Sequence, residues 1–274
     1  MVLVSIDKKR IEESYDIQAE TYQGWKGYAK LLLRDIKVPD NPICLDIGCG
    51  DGLTTVGLHE FYDMKGEIHG IDISQKMIDK ANDTKQKLGY DKIRFIKGDA
   101  EALDFPDNTF DVVLSSYTFQ FIPDKLKALK EMYRVLKPGG CMALFFPAGK
   151  GFQEFQVECF DLFRMIMGKY PGFTRLKDVL AEYDKMHLSL EEFQKMVVGV
   201  GFTGLDFFGK HRVEYFDFRE YFSLNPYPVD LMFAVPFEFR DRVRDEVFSE
   251  VERSSDLKRF KLTRYNIQGT AKKP

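Results

Sequence analysis

The chain has 274 residues, of which 44% are hydrophobic and 30% are charged, a composition that excludes a disordered or collagen-like protein. Its 40 Lys and Arg residues nearly balance its 43 Asp and Glu residues, which gives a formal net charge of −3. This balance argues against a dedicated nucleic-acid-binding protein, because such proteins usually carry a strongly basic face.

The four cysteines and four histidines lie far apart in the sequence. They lack the paired spacing of a disulfide framework or a structural zinc site, so we expect no bound metal. No apolar stretch approaches the ~18 residues that a membrane helix needs, and the first residues do not resemble a secretory signal. The sequence therefore predicts a cytoplasmic protein that does not insert into membranes.

Between residues 43 and 146, short apolar runs alternate with stretches of helical periodicity. We predict strands at residues 43–47, 67–73, 93–97, 110–115 and 141–146, and helices at residues 54–61, 75–88 and 124–136. The sequence Lys137-Pro-Gly-Gly is predicted to stop the last of these helices. Such alternation indicates an α/β fold, with a parallel sheet covered by helices on both faces.

Further helices and strands are predicted on both sides of this core. Residues 7–37 are predicted to form two helices, and residues 151–185 and 219–256 are predicted to be mainly helical. Ser189 and Glu192 have the spacing of a capping box, which predicts a helix that continues to residue 200 and ends at Gly201. Strand candidates follow at residues 205–208, 212–218 and 260–267.

A glycine-rich loop follows the first predicted strand, in the sequence Asp46-Ile-Gly-Cys-Gly-Asp-Gly52. Its glycines let the backbone turn sharply and let a ligand lie directly against it. Acidic residues also end the next two strands, namely Asp72 and Asp99. Carboxylates at these positions can accept hydrogen bonds from ribose hydroxyls and from an exocyclic amine. The pattern predicts a site for an adenosine compound.

The glycine spacing separates two classes of adenosine ligand. Dinucleotide-binding loops follow G-x-G-x-x-G and place a pyrophosphate at a helix N-terminus. Here the glycines alternate with single residues, and Asp46 and Asp51 lie in or beside the loop. These carboxylates would repel a pyrophosphate and suit an ammonium or sulfonium group, so a cationic adenosine compound fits better. An NAD(P)-dependent oxidoreductase remains an alternative.

In its motifs, the chain resembles the class I S-adenosylmethionine-dependent methyltransferases over residues 10–147 and more loosely to its end. The matching motifs are Leu45-Asp-Ile-Gly-Cys-Gly-Asp-Gly, Gly70-Ile-Asp-Ile-Ser-Gln-Lys-Met, Gly98-Asp-Ala-Glu, Phe110-Asp-Val-Val-Leu-Ser-Ser and Val135-Leu-Lys-Pro-Gly-Gly. The resemblance implies a Rossmann-like, seven-stranded, mostly parallel sheet whose last strand is antiparallel.

The resemblance also implies a single methyltransferase domain over residues 1–274. Within it, residues 40–147 form the cofactor-binding core. The expected additions to this core are N-terminal helices at residues 7–37, helical cap insertions at residues 151–185 and 219–256, and the C-terminal part of the sheet layer at residues 189–218 and 257–270.

S-adenosyl-L-methionine is the cofactor that the resemblance implies. Asp46 is expected to line its methionine part, Asp72 to hold the ribose and Asp99 to reach the adenine edge. The full set of cofactor-binding residues carried over is Tyr15, Tyr22, Asp46, Gly48, Gly50, Gly52, Asp72, Ile73, Met77, Asp99, Ala100, Glu101, Ser115 and Ser116.

The segment Ser116-Tyr-Thr-Phe-Gln-Phe-Ile-Pro-Asp resembles that of trans-aconitate, malonyl-carrier-protein and juvenile hormone acid methyltransferases, with Phe121 in place of their Trp. The resemblance favours O-methylation of a carboxylate on a small, partly apolar molecule, which requires no general base. C- or N-methylation of a quinone-like or other small metabolite is the alternative, and a catalytically silent binding protein is a remote one. The expected acceptor-binding residues are Tyr22, Tyr117, Gln120 and Phe121.

Overall fold

The computed structural model describes residues 7–19, 39–61, 65–148, 165–170, 187–217, 237–253 and 259–274. These parts of the chain contain one sheet of seven strands. The strands are β1 Ile43–Ile47, β2 Glu67–Asp72, β3 Ile93–Lys97, β4 Phe110–Ser116, β5 Leu136–Pro147, β6 Thr203–Asp217 and β7 Arg259–Lys272.

The strands lie in the order β3-β2-β1-β4-β5-β7-β6. Strands β1 to β5 pair in parallel, whereas β7 runs antiparallel to both of its neighbours, β5 and β6. This arrangement confirms the predicted fold. Because the parallel strands point the same way, their carboxyl ends meet at one edge of the sheet, where ligands of open α/β sheets bind.

The main helices of the described residues are α1 Lys8–Gln18, α2 Leu53–Phe61, α3 Gln75–Leu88, α4 Lys125–Val135, α5 Leu190–Val200 and α6 Arg240–Arg253. The predicted capping box at the start of α5 is present, and Gly201 ends this helix with a φ of 115°. Ser74 caps α3 by accepting a hydrogen bond from the backbone N–H of Met77. No helix in the described part of the chain is both long and apolar enough to cross a membrane.

Apolar side chains cover both faces of the sheet because successive residues of a strand point to opposite sides. Val112 and Leu114 of β4 pack in one cluster with Ile78 of α3, whereas Val113 belongs to the opposite cluster with Met132 of α4. All five side chains are buried. The two helical layers therefore hold the strands in place from both sides and leave the carboxyl edge of the sheet free for a site.

Strand β5 begins earlier than predicted. The sequence predicts a turn at residues 137–140 and a strand from residue 141, but the strand already starts at Leu136. Leu136 pairs with Phe110, and the next pair is Cys141 with Val112. This shift in register takes up the Pro and Gly residues of the predicted turn, as a bulge does.

The C-terminal strands are longer than predicted. The candidates at residues 205–208 and 212–218 form the single strand β6, and β7 extends well beyond residues 260–267. Residue 218 lies outside the described residues, as do residues 20–37 of the predicted N-terminal helices and most of the two predicted caps. Helix α6 lies within the second predicted cap.

Candidate functional site

A glycine loop joins the end of β1 to the start of α2. Gly48, Gly50 and Gly52 have φ angles of 73°, 53° and 80°, in the left-handed region that favours glycine. Gly48 is also crowded, because a Cβ atom there would lie 2.1 Å from the hydroxyl oxygen of Thr118. That hydroxyl donates a hydrogen bond to the Gly48 carbonyl over 3.1 Å. The loop therefore packs directly against the segment that follows β4.

The end of β2 fixes this loop through backbone hydrogen bonds. The N–H groups of Gly48 and Cys49 both donate to the carbonyl of Ile71, over 2.8 and 2.9 Å. The N–H of Gly50 donates to Oδ2 of Asp72 over 3.0 Å. The conformation of the loop thus depends on the last two residues of β2.

Asp72 lines a cavity of about 900 Å³, a volume that includes the solvent space at its mouth. Besides the bond from Gly50, its Oδ1 accepts a hydrogen bond from the N–H of Ser74 over 2.9 Å. Burial raises the pKa of this carboxyl group to about 6, so it is largely ionised at neutral pH. A carboxylate has about four acceptor positions, which leaves Asp72 able to accept hydrogen bonds from a ligand.

Two acids form a corner of the cavity after β3. The N–H of Glu101 donates to Oδ1 of Asp99 over 2.9 Å. Lys8 of α1 forms ion pairs with both, its Nζ lying 2.7 Å from Asp99 Oδ2 and 2.6 Å from Glu101 Oε2. All three side chains belong to residues that line the cavity. A ligand amine that approaches Asp99 would therefore share or replace the contact with Lys8.

Helix α1 forms one wall of the cavity. Lys8, Ile11 and Tyr15 line it, and their spacing of three and four residues places them on one face of the helix. The ring of Tyr15 meets the ring of Phe121 edge-on, with centroids 5.8 Å apart. This aromatic pair joins α1 to the segment after β4.

Tyr117, directly after β4, has an unusual backbone. Its φ is 56°, a value that is rare for a bulky side chain and costs on the order of 1–3 kcal/mol. Its N–H donates to the carbonyl of Phe145 over 2.7 Å, and the two rings meet edge-on with centroids 5.0 Å apart. Its hydroxyl donates to Oδ1 of Asn266 over 3.3 Å. These contacts hold Tyr117 in the cavity wall.

Most residues named from the sequence come together around this cavity. The cavity lining contains Tyr15, Gly48, Gly50, Asp72, Ile73, Met77, Asp99, Ala100, Glu101, Ser116, Tyr117 and Phe121. Asp51, which the sequence places in the glycine loop, also lines the cavity. Sequence reasoning missed other lining residues, among them Lys8, Ile11, Cys49, Thr54 and Thr118. Thr54 could have been found from its position just after the glycine loop. Tyr22 lies outside the described residues.

Four of the named residues do not belong to the cavity lining: Asp46, Gly52, Ser115 and Gln120. The hydroxyl of Ser115 donates to the carbonyl of Ile47 over 2.8 Å, and Nε2 of Gln120 donates to the carbonyl of Tyr117 over 2.8 Å. The last two side chains are buried. They hold the backbone of two lining residues, Ile47 and Tyr117, without facing the cavity themselves.

Asp46 is only 1% exposed and does not reach the cavity. Its Oδ2 accepts a hydrogen bond from the hydroxyl of Thr55 over 2.6 Å, whereas its Oδ1 has no hydrogen-bond partner within the described ranges. Burial, opposed by the hydrogen bond from Thr55 and assisted by the nearby charge of Asp72, raises the pKa of this carboxyl group to about 7. Asp46 therefore joins β1 to α2 through Thr55.

We expect the ligand-free protein to lose stability as the pH rises from about 4 to about 7. Asp46 and Asp72 have pKa values raised from 3.8 to about 7 and about 6. In this window the folded protein binds more protons than the unfolded chain, so the free energy of unfolding decreases as the pH rises. Urea unfolding at about pH 5 and about pH 8 measures the change.

Asp46→Asn should reduce this pH dependence because asparagine does not titrate. Asp83→Asn, which changes an exposed residue of α3, is the control and should leave the dependence unchanged. An equal pH dependence in the wild type and in Asp46→Asn would contradict the prediction.

Residues 45–144 match the methyltransferase domain family. A demethylmenaquinone methyltransferase of Bacillus licheniformis is 34% identical over 197 residues, which are 69% of this chain and 80% of the relative. The solved YcgJ protein of Bacillus subtilis has a TM-score of 0.60 at 20% identity, covering 91% of this chain and 99% of its own. Phosphoethanolamine N-methyltransferase 2 of Haemonchus contortus, in complex with S-adenosyl-L-methionine, has a TM-score of 0.57 at 18% identity, covering 94% and 57%.

The two structural neighbours share the fold, and the identity to the Bacillus licheniformis protein extends through most of that relative. The chemistry of the cavity agrees with the cofactor of such enzymes. Its carboxylates can accept hydrogen bonds from ribose hydroxyls and an adenine amine, and their negative charge complements a sulfonium. The chain therefore belongs to the class I S-adenosylmethionine-dependent methyltransferases.

Proposed function

We propose that this enzyme transfers a methyl group from S-adenosylmethionine to a ring carbon of a small hydroquinone, the reduced form of a quinone. The ring carbon loses its proton to solvent, and S-adenosylhomocysteine is released. The observation that carries the proposal is the 34% identity to a demethylmenaquinone methyltransferase across 80% of that protein. The aromatic residues Tyr15, Tyr117 and Phe121 in the cavity lining suit a planar acceptor. Carboxylate O-methylation, the main expectation from the sequence, has no comparable support.

The cofactor is proposed to lie along the carboxyl edge of the sheet. Asp72 would accept hydrogen bonds from the ribose hydroxyls, and Asp99 would accept one from the adenine amine. Ile73 and Met77 also line the cavity and would pack against the adenine ring. The glycine loop would lie against the methionine part, because its residues without side chains permit close approach.

S-adenosylmethionine supplies an activated methyl group on a sulfonium. The residues of this chain have to align the acceptor carbon with that methyl group and exclude water. Holding the two reactants in line can lower the activation barrier by ~7–11 kcal/mol. Tyr117 and Phe121 line the cavity beside the glycine loop, where they would hold the acceptor ring. A phenolic hydroxyl on the acceptor increases the electron density of its ring, which makes the ring carbon a better nucleophile. A protein group that accepts a hydrogen bond from this hydroxyl would increase the electron density further.

We also propose that the chain forms one cytoplasmic methyltransferase domain with helical caps at residues 151–185 and 219–256. Helix α6 lies within the second proposed cap, at residues 219–256. A cap over the acceptor would exclude water from the reacting atoms. Both β5 and β6 run antiparallel to β7, so β6 runs parallel to β5. The β6–β7 connection therefore starts at the same edge of the sheet as the cavity, and for this reason we propose that it forms the cap.

Methyl transfer to a naphthohydroquinone tests the proposed function directly. The purified enzyme, S-adenosylmethionine and the hydroquinone kept reduced should give a C-methylated product, identified by mass and by carbon NMR. A naphthoic acid of the same ring size is the matched acceptor for carboxylate O-methylation and should not react. Formation of the methyl ester without C-methylation of the hydroquinone would contradict the proposal.

Asp72→Ala should weaken the binding of S-adenosylhomocysteine. The loss of hydrogen bonds between the ribose and a charged group corresponds to ~1.5–3 kcal/mol, or about 10- to 150-fold in Kd. Isothermal titration calorimetry measures the affinity, and Asp83→Ala on the exposed side of α3 is the control. An unchanged Kd in a folded Asp72→Ala protein would remove the ribose assignment.

Gly50→Val should abolish the binding of S-adenosylhomocysteine while the protein remains folded. Gly50 lines the cavity with a φ of 53°, so the new side chain would meet the ligand and strain the loop. Gly139→Val is the matched control, because Gly139 has a φ of 79° with no atom within 4 Å of an added Cβ. Calorimetry and circular dichroism compare the two variants. Retained binding in folded Gly50→Val would place the ligand elsewhere.

A further inference from the structure

Lys125 is a buried charged residue at the start of α4, outside the cavity lining. It is only 9% exposed. A positive charge in the first turn of a helix is unfavourable, because the free N–H groups there form the positive end of the helix dipole. Burial of an ammonium is also costly unless it is hydrogen-bonded. The position of Lys125 therefore requires a compensating interaction.

The ammonium of Lys125 binds the segment that precedes α4. Its Nζ donates to the backbone carbonyls of Gln120 and Ile122, over 3.2 and 3.0 Å. These carbonyls lie at the end of a short 3₁₀ turn, Phe119–Phe121, where backbone carbonyls lack partners within the turn. Both residues are buried, and a buried carbonyl that loses its partner destabilises its surroundings. Lys125 therefore fixes the backbone of this segment.

A second contact fixes the same segment on the other side of Pro123. The N–H of Asp124 donates to Oε1 of Glu101 over 2.9 Å, and the N–H of Glu101 donates to Oδ1 of Asp99. Ile122 and Pro123 lie between the two contacts, and both line the cavity. This part of the wall is therefore joined through Glu101 to Asp99, the acid that is proposed to bind the adenine amine.

The protonation of Lys125 depends on two opposing effects. Burial lowers the pKa of its ammonium to about 8, against the opposing effect of the charge of Glu101. Glu101 is buried and also forms an ion pair with Lys8 of α1. The neighbouring carboxylate of Asp124 accepts a hydrogen bond from the backbone N–H of Lys127. Lys125 is therefore mainly protonated at neutral pH and loses its charge in mildly alkaline solution, which weakens its hydrogen bonds.

We propose that Lys125 is a positioning residue for cofactor binding, whose protonated ammonium holds Ile122 and Pro123 in the part of the cavity wall that contacts the adenosine portion of the cofactor. A wall segment that is already fixed in its bound conformation increases the affinity, because less conformational freedom is lost on binding. Affinity should therefore decrease as the pH rises through about 8. The inference rests on the proposed placement of the cofactor and not on the identity of the methyl acceptor.

Calorimetry with 5′-methylthioadenosine tests the proposal on the full-length wild type. This compound contains the adenosine and thioether parts of the cofactor product, and none of its groups titrates between about pH 7 and about pH 9. The loss of one charge-assisted contact corresponds to about tenfold in affinity. Because Lys125 loses most but not all of its protons over this range, the Kd should rise about fivefold.

Three variants assign the change to Lys125. Lys125→Met should bind about tenfold more weakly than the wild type at about pH 7 and nearly equally at about pH 9. Lys125→Arg keeps a charged donor that does not titrate in this range and should bind about fivefold more tightly than the wild type at about pH 9. Lys127→Met, at an exposed position of the same helix, is the control and should follow the wild type. Asp46 and Asp72 titrate in all four proteins, so their effects cancel in the comparison.

A role of Lys125 in stability alone would weaken binding equally at both pH values, and this result would overturn the proposal. An unchanged Kd in folded Lys125→Met would do the same, as would a folded Lys125→Arg that loses affinity at about pH 9 as the wild type does. Circular dichroism at both pH values checks folding. A wild-type Kd that does not change with pH would overturn the proposal even if a variant fails to fold.

Asp72→Ala in the same assay separates this inference from the placement of the cofactor. If Asp72→Ala and Lys125→Met both bind like the wild type, the placement fails together with the inference. If Asp72→Ala weakens binding and Lys125→Met does not, only the role of Lys125 fails.

Discussion

The attachment of the glycine loop to the end of β2 is the constraint on which the rest of the site depends. Strands β1 and β2 pair in parallel as far as Ile47 and Ile71. Beyond that point the carbonyl of Ile71 accepts two hydrogen bonds from the loop, and Asp72 accepts a third. The sheet ladder thus continues into the loop through the backbone of β2. This continuation fixes Gly48 and Gly50, both in the left-handed region, where they line the cavity.

The same attachment brings carboxyl groups close together in a partly buried environment. Asp46 is buried in β1, Asp72 accepts a hydrogen bond from the loop, and burial raises the pKa of both. The thiol of Cys49 also has a raised pKa because of burial and the nearby acids. Of Asp46 and Asp72, only Asp72 lines the cavity. A cationic ligand beside it would stabilise its ionised form.

The parts of the structure that depend on local sequence could be predicted. The glycines between β1 and α2, the acids at strand ends and the Ser189 capping box all have their signals within a few residues. The start of β5 could not be predicted in this way, because Leu136 joins the sheet by pairing with Phe110, a residue of another strand. The buried position of Asp46 also depends on tertiary contacts, here with Thr55 of the following helix. Local patterns locate the loop and the strand ends but do not indicate which side chains reach the cavity.

Residues from distant parts of the chain contact side chains that line the cavity. Lys8 reaches the acid pair after β3 across 91 residues of sequence, and Asn266 reaches Tyr117 across 149 residues. Neither belongs to residues 45–144, which match the family. The matched region supplies the glycine loop and the strand-end acids, which are the groups suited to the cofactor. The flanking regions supply contacts that fix side chains of the cavity wall, so the wall is complete only when the parts of the chain outside the matched region have folded onto it.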